Sequence, residues 1–512
     1  LTTARLPADE TTGRRSTLVW GAVIAAFLVA VVLTLFRLAD VAGLYRDEAA
    51  FGLFAEQIQA GARPWHGYFN DYTAPLHSYL IAASFTWLGH SIWSLRISGV
   101  VLNLVAWCLY VDLVRRLFPA AVGWAAWLLA TFPMFVVFAR IAGENYALNG
   151  LLLVASVWCY TVANQSPSTG MQRWGYGFCG VALALGMWNH LIFVPAVVSL
   201  SLLFLVANRH RARAALPSVG WMLLGLAVGA VPKMVGMFLN QGRVVTLEGK
   251  VGLPAWPWEA AMNLLYTLGA DGLYATACGE VRQPLNIILW AATAGALVWL
   301  LGGWGGATAR RLASYVSAFV LLTFALTWFI TPYYKMTGRT WLLPLWPMPG
   351  LLAMAVATLP SLQRWLVGTA VVAVNLVGLG MNYFDTFLET GGRAPYVYSG
   401  GRNELGADFM EVRPTVARLV AAGDHPIYLQ DYTNHRLEFL LPLDQRARLR
   451  PFPPTEQIGT TPFEPGALVA LWRSGEYPDE GPLGLAWCRR ERALDDDHYV
   501  VYRVERLLEP EP

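Results

Sequence analysis

About eleven apolar stretches, each close to the length needed to cross lipid as a helix, occupy the first three quarters of this chain. They run over 18–38, 93–114, 119–138, 145–163, 174–190, 191–207, 217–239, 285–303, 312–331, 340–358 and 364–383. A segment in hydrocarbon must satisfy its backbone polar groups internally, which restricts such stretches to helices. Composition agrees: 56% of the 512 residues are apolar and 14% charged, against roughly 25% charged in soluble domains. The 22 Trp and 21 Tyr suit a protein with many interfacial girdles. A net charge of +3 is too small to imply nucleic acid as a partner. The five cysteines, at Cys108, Cys159, Cys179, Cys278 and Cys488, show no C-x-x-C spacing and read as packing residues.

The Lys/Arg distribution sets the sidedness. The first stretch follows Arg14 and Arg15, is long for a signal-peptide core and lacks a small-x-small site after it, so it reads as an uncleaved helix that starts inside. If the stretches alternate, Arg115 with Arg116, Arg173, the cluster Arg209, Arg211 and Arg213, Arg310 with Arg311, and Arg364 all fall inside, as the positive-inside rule requires. The apolar run 75–89 is left out of the count. It holds His77 and Ser78, covers only about 22 Å as helix, and as a span would invert every later loop. It is placed with the amphipathic stretch 48–60 in the outer interface.

After residue 384 the long apolar runs stop, and short β-like stretches occur at 427–430, 467–472 and 499–504. The expected fold is an all-α polytopic membrane protein of about 11 transmembrane helices with a small C-terminal soluble α/β domain. Residues 1–384 form the transmembrane domain, with a structured outer loop over 40–92. Residues 385–512 form the extracytoplasmic domain, which either binds substrate or caps the bundle.

The ionisable residues that are not inside gather at the outer ends: Arg46, Asp47, Glu48, Asp71, Arg96, Arg140, Glu144, Lys233, Lys335 and Arg339. Charge near a bilayer is costly and is kept mostly where it faces a cavity or a partner; snorkelling at the interface explains any one of Arg63, Arg243 or Lys250 but is a weak reading for the whole set. Two carboxylates, Asp47 and Glu48, directly follow the first span.

These residues, in this order, resemble the GT-C class of membrane glycosyltransferases, and within it the protein O-mannosyltransferase and aminoarabinose transferase branch, the glycosyltransferase 39-like family. The likeness rests on Asp47-Glu48 after the first helix and on the Tyr-rich segment from Tyr68 to Pro75-Leu76. It continues through Leu95-Arg96, Arg115-Arg116-Leu117-Phe118, Ala139-Arg140 followed by Glu144, and Gly338-Arg339-Thr340-Trp341-Leu342-Leu343-Pro344-Leu345. Two positions depart from the pattern. Ala74 stands where the family often has the first of two prolines, and Trp188-Asn189-His190 stands where many relatives end a helix in a Lys near the donor phosphate. His190 either supplies that contact or is an uncharged interfacial histidine. The resemblance implies a GT-C-type fold and a sugar linked to polyprenyl phosphate as donor substrate, with no further cofactor. It also implies a glycan, glycolipid or protein acceptor, membrane lipids around the bundle, and a bacterial inner or plasma membrane setting with the catalytic loop extracytoplasmic.

Transfer from such a donor needs a base for the acceptor hydroxyl and cations for the departing phosphate. Neighbours on a helix point about 100° apart, so Asp47 and Glu48 cannot both face one atom. Asp47 is assigned as base, Glu48 as acceptor positioning or loop structure, and Glu144 as a second acid across the cleft. Arg140, Lys233, Lys335, Arg339 and His190 are the candidates for the donor phosphate, and Tyr45, Asp71, Tyr72, His77 and Arg96 for the acceptor loop. A single displacement without a covalent intermediate predicts inversion at the anomeric carbon, and no metal cluster is visible in the sequence to require one. The competing classes are a secondary transporter, which places ionisable groups or broken helices at the midplane and often repeats a half, and a non-catalytic scaffold, which has no need of Asp47.

Overall fold

The computed structural model describes residues 11–65, 73–142, 146–239, 283–330, 342–389, 409–410, 412–429, 435–450, 463–472, 488–495 and 499–507. Each apolar stretch read from the sequence is helical over most of its described residues, and the stretch 340–358 is interrupted at Trp346 and Pro347, between helices Leu342–Leu345 and Met348–Thr358. In chain order the helices are α1 (Thr11–Leu35), α2 (Arg46–Gln59), α3 (Leu76–Leu88), α4 (Ile92–Leu117), α5 (Val122–Thr131), α6 (Pro133–Ala139), α7 (Tyr146–Gln165), α8 (Thr169–Asn189), α9 (Val194–Asn208) and α10 (Ala212–Leu239). Helices Gln283–Leu301, Gly306–Ile330, Met348–Thr358 and Ser361–Leu379 follow. Among the described residues, 7 helices are long and apolar enough to cross a membrane, or up to 8 if a bent pair counts as one span. Helices Ile287–Leu301 and Leu342–Thr358 are apolar but shorter. The chain is thus a largely helical integral membrane protein.

The bent pair is α5 with α6, and it corrects the single helix expected over 119–138. The two axes differ by 52°. The cause is Pro133: it has no N–H to continue the ladder and it forces Phe132 out of the helical region, to φ −66° and ψ 122°. The bend sets the direction in which α6 delivers Arg140.

Helices α8 and α10 pack closely through small residues. A Cβ on Gly225 would lie 2.0 Å from the Gly177 carbonyl oxygen, and one on Gly180 would lie 2.1 Å from that of Met222. Gly225 and Gly229, four apart, form the small-residue stripe that lets two helix backbones approach in lipid, where dispersion rather than water exclusion drives association. The α8 stretch is therefore built into the bundle.

The run 75–89 becomes α3, which does not stand alone as a span. Its buried residues, His77, Ser78, Ile81, Ala82 and Phe85, recur at helical spacing. Ile81, Ala82 and Phe85 pack into a separate apolar cluster with Ala49, Phe51, Leu53 and Ile58 of α2 and Ile92 and Leu95 of α4.

A short strand β1 (Leu44–Tyr45), directly before α2, pairs antiparallel with β2 (Phe409–Met410) of the C-terminal region. A 5-stranded sheet has the order β4-β3-β5-β7-β6, with β3 (Ile427–Leu429), β4 (Leu449–Arg450), β5 (Leu468–Trp472), β6 (Cys488–Asp495) and β7 (Tyr499–Leu507). Strand β3 runs parallel to β4 and β5, while β7 is antiparallel to β5 and β6. Successive residues serve opposite faces. Ile427, Leu468, Ala470 and Val501 join Val416 and Leu419 of helix Arg413–Ala421 on one side. Tyr428, Val469, Tyr502 and Val504 join Phe463 on the other.

Candidate active site

The loop between α1 and α2 is organised around a buried guanidinium. Arg96, fully buried on α4, donates to the carbonyl oxygens of Leu38 (2.8 Å), Ala42 (3.0 Å) and Gly43 (2.9 Å), and more weakly to that of Val41 (3.4 Å). Ala42 has φ 54°, a left-handed conformation that costs a non-glycine residue about 1–2 kcal/mol. A charged donor on its carbonyl helps hold it there.

The same guanidinium grips Glu48. Arg96 Nε meets Oε1 at 2.8 Å and Nη2 meets Oε2 at 2.8 Å, with both side chains at 0% exposure. Glu48 also accepts the backbone N–H groups of Tyr45 (3.3 Å) and Ala142 (3.0 Å). The first of these is the capping contact of a third-position glutamate reaching back across a helix N-terminus. Of the two roles left open for Glu48, the geometry gives it loop structure. Arg96, expected at the acceptor, faces inward as its partner.

Asp47 points elsewhere, as the 100° step along a helix requires. It is half-buried in the first turn of α2, and the Tyr45 hydroxyl donates to its Oδ2 at 2.8 Å. Tyr45 itself is buried. The result is a carboxylate oriented by Tyr45 at a helix end.

Arg140 does not present its charge as the sequence suggested. It is fully buried at the end of α6 and donates to the carbonyl oxygens of Leu33 and Thr34, each at 3.0 Å, and of Arg37 at 3.4 Å. A cation on the last carbonyls of α1 complements that helix's dipole. Its guanidinium also lies over the rings of Phe384 (5.2 Å) and Tyr383 (5.8 Å). Its observed contacts are those of a helix cap.

His190 caps the end of α8 and accepts the Ile192 N–H through Nδ1 at 3.0 Å, which leaves Nε2 as the donor of a neutral ring. Thr73 bridges His190, and the Ala74 N–H donates to the Asn189 carbonyl at 3.0 Å. Asn189 in turn donates to Asn149 Oδ1 on α7 at 2.8 Å. These contacts fasten the entry to α3 over the ends of α7 and α8. His77 is fully buried, with Nε2 at 3.1 Å from Ser98 Oγ, and burial pushes it down to about 4. It is a neutral group packed between α3 and α4. Lys233 is half-buried on α10, beside Pro232. Glu144, Asp71, Tyr72, Lys335 and Arg339 lie outside the described residues.

Sequence reasoning missed the residues that tie the C-terminal region to this loop. Arg413 meets Asp40 at 3.0 Å and holds its carboxyl below the usual range. Arg446 forms a two-point pair with Glu56 of α2, Nη2 to Oε1 at 3.1 Å, and His90 Nε2 meets the same carboxylate. No local signal marks partners separated by some 390 positions.

A cavity of about 240 Å³ lies near the other end of α4, lined by Tyr110, Leu117, Leu203, Tyr315, Phe319 and other apolar residues. Leu113 of its lining and Arg96 are separated by about 25 Å along the helix. The cavity is suited to hydrocarbon and is remote from Asp47.

The model of the dolichyl-phosphate-mannose-protein mannosyltransferase family matches residues 72–234. That range takes in α3 through most of α10. Two crystal structures of ArnT from Cupriavidus metallidurans share the fold over nearly all of both chains. For the apo state the TM-score is 0.59 at 15% identity, covering 95% of this chain and 99% of that one. For the form bound to undecaprenyl phosphate it is 0.63 at 16% identity, covering 96% and 99%. No curated protein matches the sequence. The resemblance to the GT-C membrane glycosyltransferases is borne out by the family model and by the shared fold.

Proposed function

We propose that this protein is an inverting glycosyltransferase that moves a sugar from polyprenyl phosphate to an acceptor hydroxyl on the extracytoplasmic face of a bacterial membrane. The observation that carries the reading is the division of labour at the start of α2. Glu48 is enclosed with Arg96, whereas Asp47 stays half-buried and is steadied by Tyr45. The shared fold with an ArnT structure that holds undecaprenyl phosphate supports the donor class.

In the proposed step the acceptor hydroxyl gives its proton to Asp47 while its oxygen attacks the anomeric carbon. The anomeric C–O bond to phosphate breaks on the opposite face, and its electron pair leaves with the phosphate. The Tyr45 hydroxyl orients the carboxylate that takes the proton. The departing phosphate needs cations. Arg339, Lys335 and Lys233 are proposed for this role, with His190 Nε2–H as a neutral donor. Glu144 is proposed as a second acid, and Asp71 and Tyr72 as acceptor-side groups. Residues 1–384 act as the transferase domain and 385–512 as an extracytoplasmic domain above it.

Native mass spectrometry of the purified protein, before and after addition of undecaprenyl phosphate, tests the donor class. The expected result is one bound lipid phosphate per chain, displaced by an undecaprenyl-linked sugar that the protein then transfers. Failure to bind either lipid would remove the polyprenyl donor from the reading.

A further inference from the structure

The C-terminal region touches the Asp47 segment on both sides of that residue. Upstream, β2 adds backbone pairing to Leu44 and Tyr45, the residues directly before α2, and Arg413 reaches Asp40. Downstream, helix His435–Leu440 inserts Phe439, fully buried, against α2. The contact requires glycine on the facing helix: a Cβ on Gly52 would lie 2.4 Å from Phe439 Cε2. The Phe439 ring also meets His90 with centroids 4.4 Å apart and Phe85 at 6.1 Å. One turn further along α2, Arg446 holds Glu56 with a two-point pair, and it also donates to the carbonyl oxygens of Phe439 (2.8 Å) and Leu441 (3.0 Å). The same guanidinium therefore ties helix His435–Leu440 to α2.

These contacts differ in weight. Arg413 and Asp40 are each about half exposed, and a pair of that kind contributes little. Arg446 and Glu56 are 14% and 18% exposed, and a forked Arg–carboxylate pair in that setting fixes geometry as well as energy. Phe439 on Gly52 is shape complementarity in a dry cluster, where a displaced ring has nowhere to relax. From these we infer that the C-terminal region is a clamp that positions the Asp47 end of α2, with Gly52, Phe439, Glu56 and Arg446 as positioning residues for transfer. The role goes beyond a passive cap. It removes the need for this region to touch substrate, and it makes the alignment of Asp47 depend on Phe439 and Arg446, nearly 400 positions away in the chain.

The inference rests on Asp47 being the base, so its test has one arm that needs turnover and one that does not. Amide hydrogen exchange on the full chain in detergent reads the peptide from Leu44 to Glu56 directly. In Phe439→Ala and in Arg446→Ala, exchange in the first turn of α2 should rise about tenfold while the bundle helices keep parental protection. Gly52→Ala keeps the apolar cluster full and replaces glycine by the better helix former. Helix propensity alone therefore predicts slower exchange, and the clamp predicts faster exchange. With an undecaprenyl-linked sugar donor, Gly52→Ala should lower kcat about 10- to 100-fold, the loss expected when a catalytic group moves by a fraction of an ångström or more, with KM for the donor little changed. Gly52→Ala with Phe439→Leu should recover most of it by making room for the new methyl. Parental exchange over Leu44 to Glu56 in all three single variants overturns the clamp, as does parental kcat in Gly52→Ala. If the parent transfers no lipid-linked sugar, the proposed function fails and exchange alone decides the clamp.

Discussion

Glu48 and Arg96 form a two-point ion pair at 2.8 Å on each arm, with neither side chain exposed. A buried pair that loses one partner leaves an uncompensated charge in a dry site, at a cost of about 3–5 kcal/mol. Glu48→Gln should therefore depress the thermal unfolding midpoint and the yield of monodisperse protein. Arg96→Lys should do the same, because an ammonium cannot bridge a carboxylate and a row of loop carbonyls together. Thermal unfolding in detergent is the measurement. A Glu48→Gln protein as stable as the parent would show that the loop is held by other means.

Asp47, one residue earlier, should behave in the opposite way. Asp47→Asn keeps the shape and the Tyr45 contact but removes the base, so the protein should fold with a parental unfolding midpoint while transfer falls about 100- to 10,000-fold. Tyr45→Phe removes only the orienting hydroxyl and should reduce transfer by a smaller factor. Parental turnover by Asp47→Asn, with a lipid-linked sugar donor, takes this residue out of the mechanism.

His77 contributes an acid sensitivity that has nothing to do with catalysis. Burial lowers it from 6.5 to about 4, so between those values the unfolded chain binds a proton that the folded chain refuses. The contribution is complete above pH 6.5, is lost as pH falls toward 4, and amounts to about 3 kcal/mol at full loss. His77→Asn should flatten the fall in unfolding midpoint across that window. An unchanged pH profile in this variant would assign the acid sensitivity to other groups.

The helical bundle was legible because a helix in lipid needs an apolar run, although of the eleven stretches only 7 or 8 among the described residues are long and apolar enough to span. The break at Phe132 was not, although Pro133 is the residue that causes it. At the site, the sequence located the acid pair and the outer-end charges but could not tell which of them face backbone. Arg96 and Arg140 read as site cations because charge is visible in a sequence, whereas the carbonyls of Leu38, Ala42 and Thr34 that receive them have no side-chain signature. Glu56 and Arg446 were illegible for another reason: each sits on its own amphipathic segment, and only the folded C-terminal region brings them together.

The clamp contacts also constrain sidedness. Residues paired through β1 and β2, and through Glu56 and Arg446, must lie on the same face of the membrane. Single cysteines placed at exposed Gln57 and Leu443 should therefore be labelled together by an impermeant reagent from the extracytoplasmic side. A cysteine at exposed Arg310 should be protected. Labelling of Leu443→Cys from the cytoplasm alone would contradict both the span count and the clamp.

Arg140 and Arg339 separate a structural cation from a proposed functional one. Arg140 is committed to the end of α1, where a cation on partly buried terminal carbonyls contributes up to about 2 kcal/mol of stability. Arg140→Ala should thus lower the unfolding midpoint, and any loss of transfer should track the loss of folded protein. Arg339 sits with Lys335 between two long apolar stretches and keeps its charge at every physiological pH. If it meets the departing phosphate, Arg339→Ala should leave the unfolding midpoint alone and lose about 2–4 kcal/mol of transition-state stabilisation, or roughly 30- to 1000-fold in rate. Arg339→Lys retains the charge without the planar fork and should fall between the two. Measured as kcat on folded protein, parental transfer by Arg339→Ala would move the phosphate to Lys233 and Lys335. A pure rate defect in Arg140→Ala would restore that residue to the donor site.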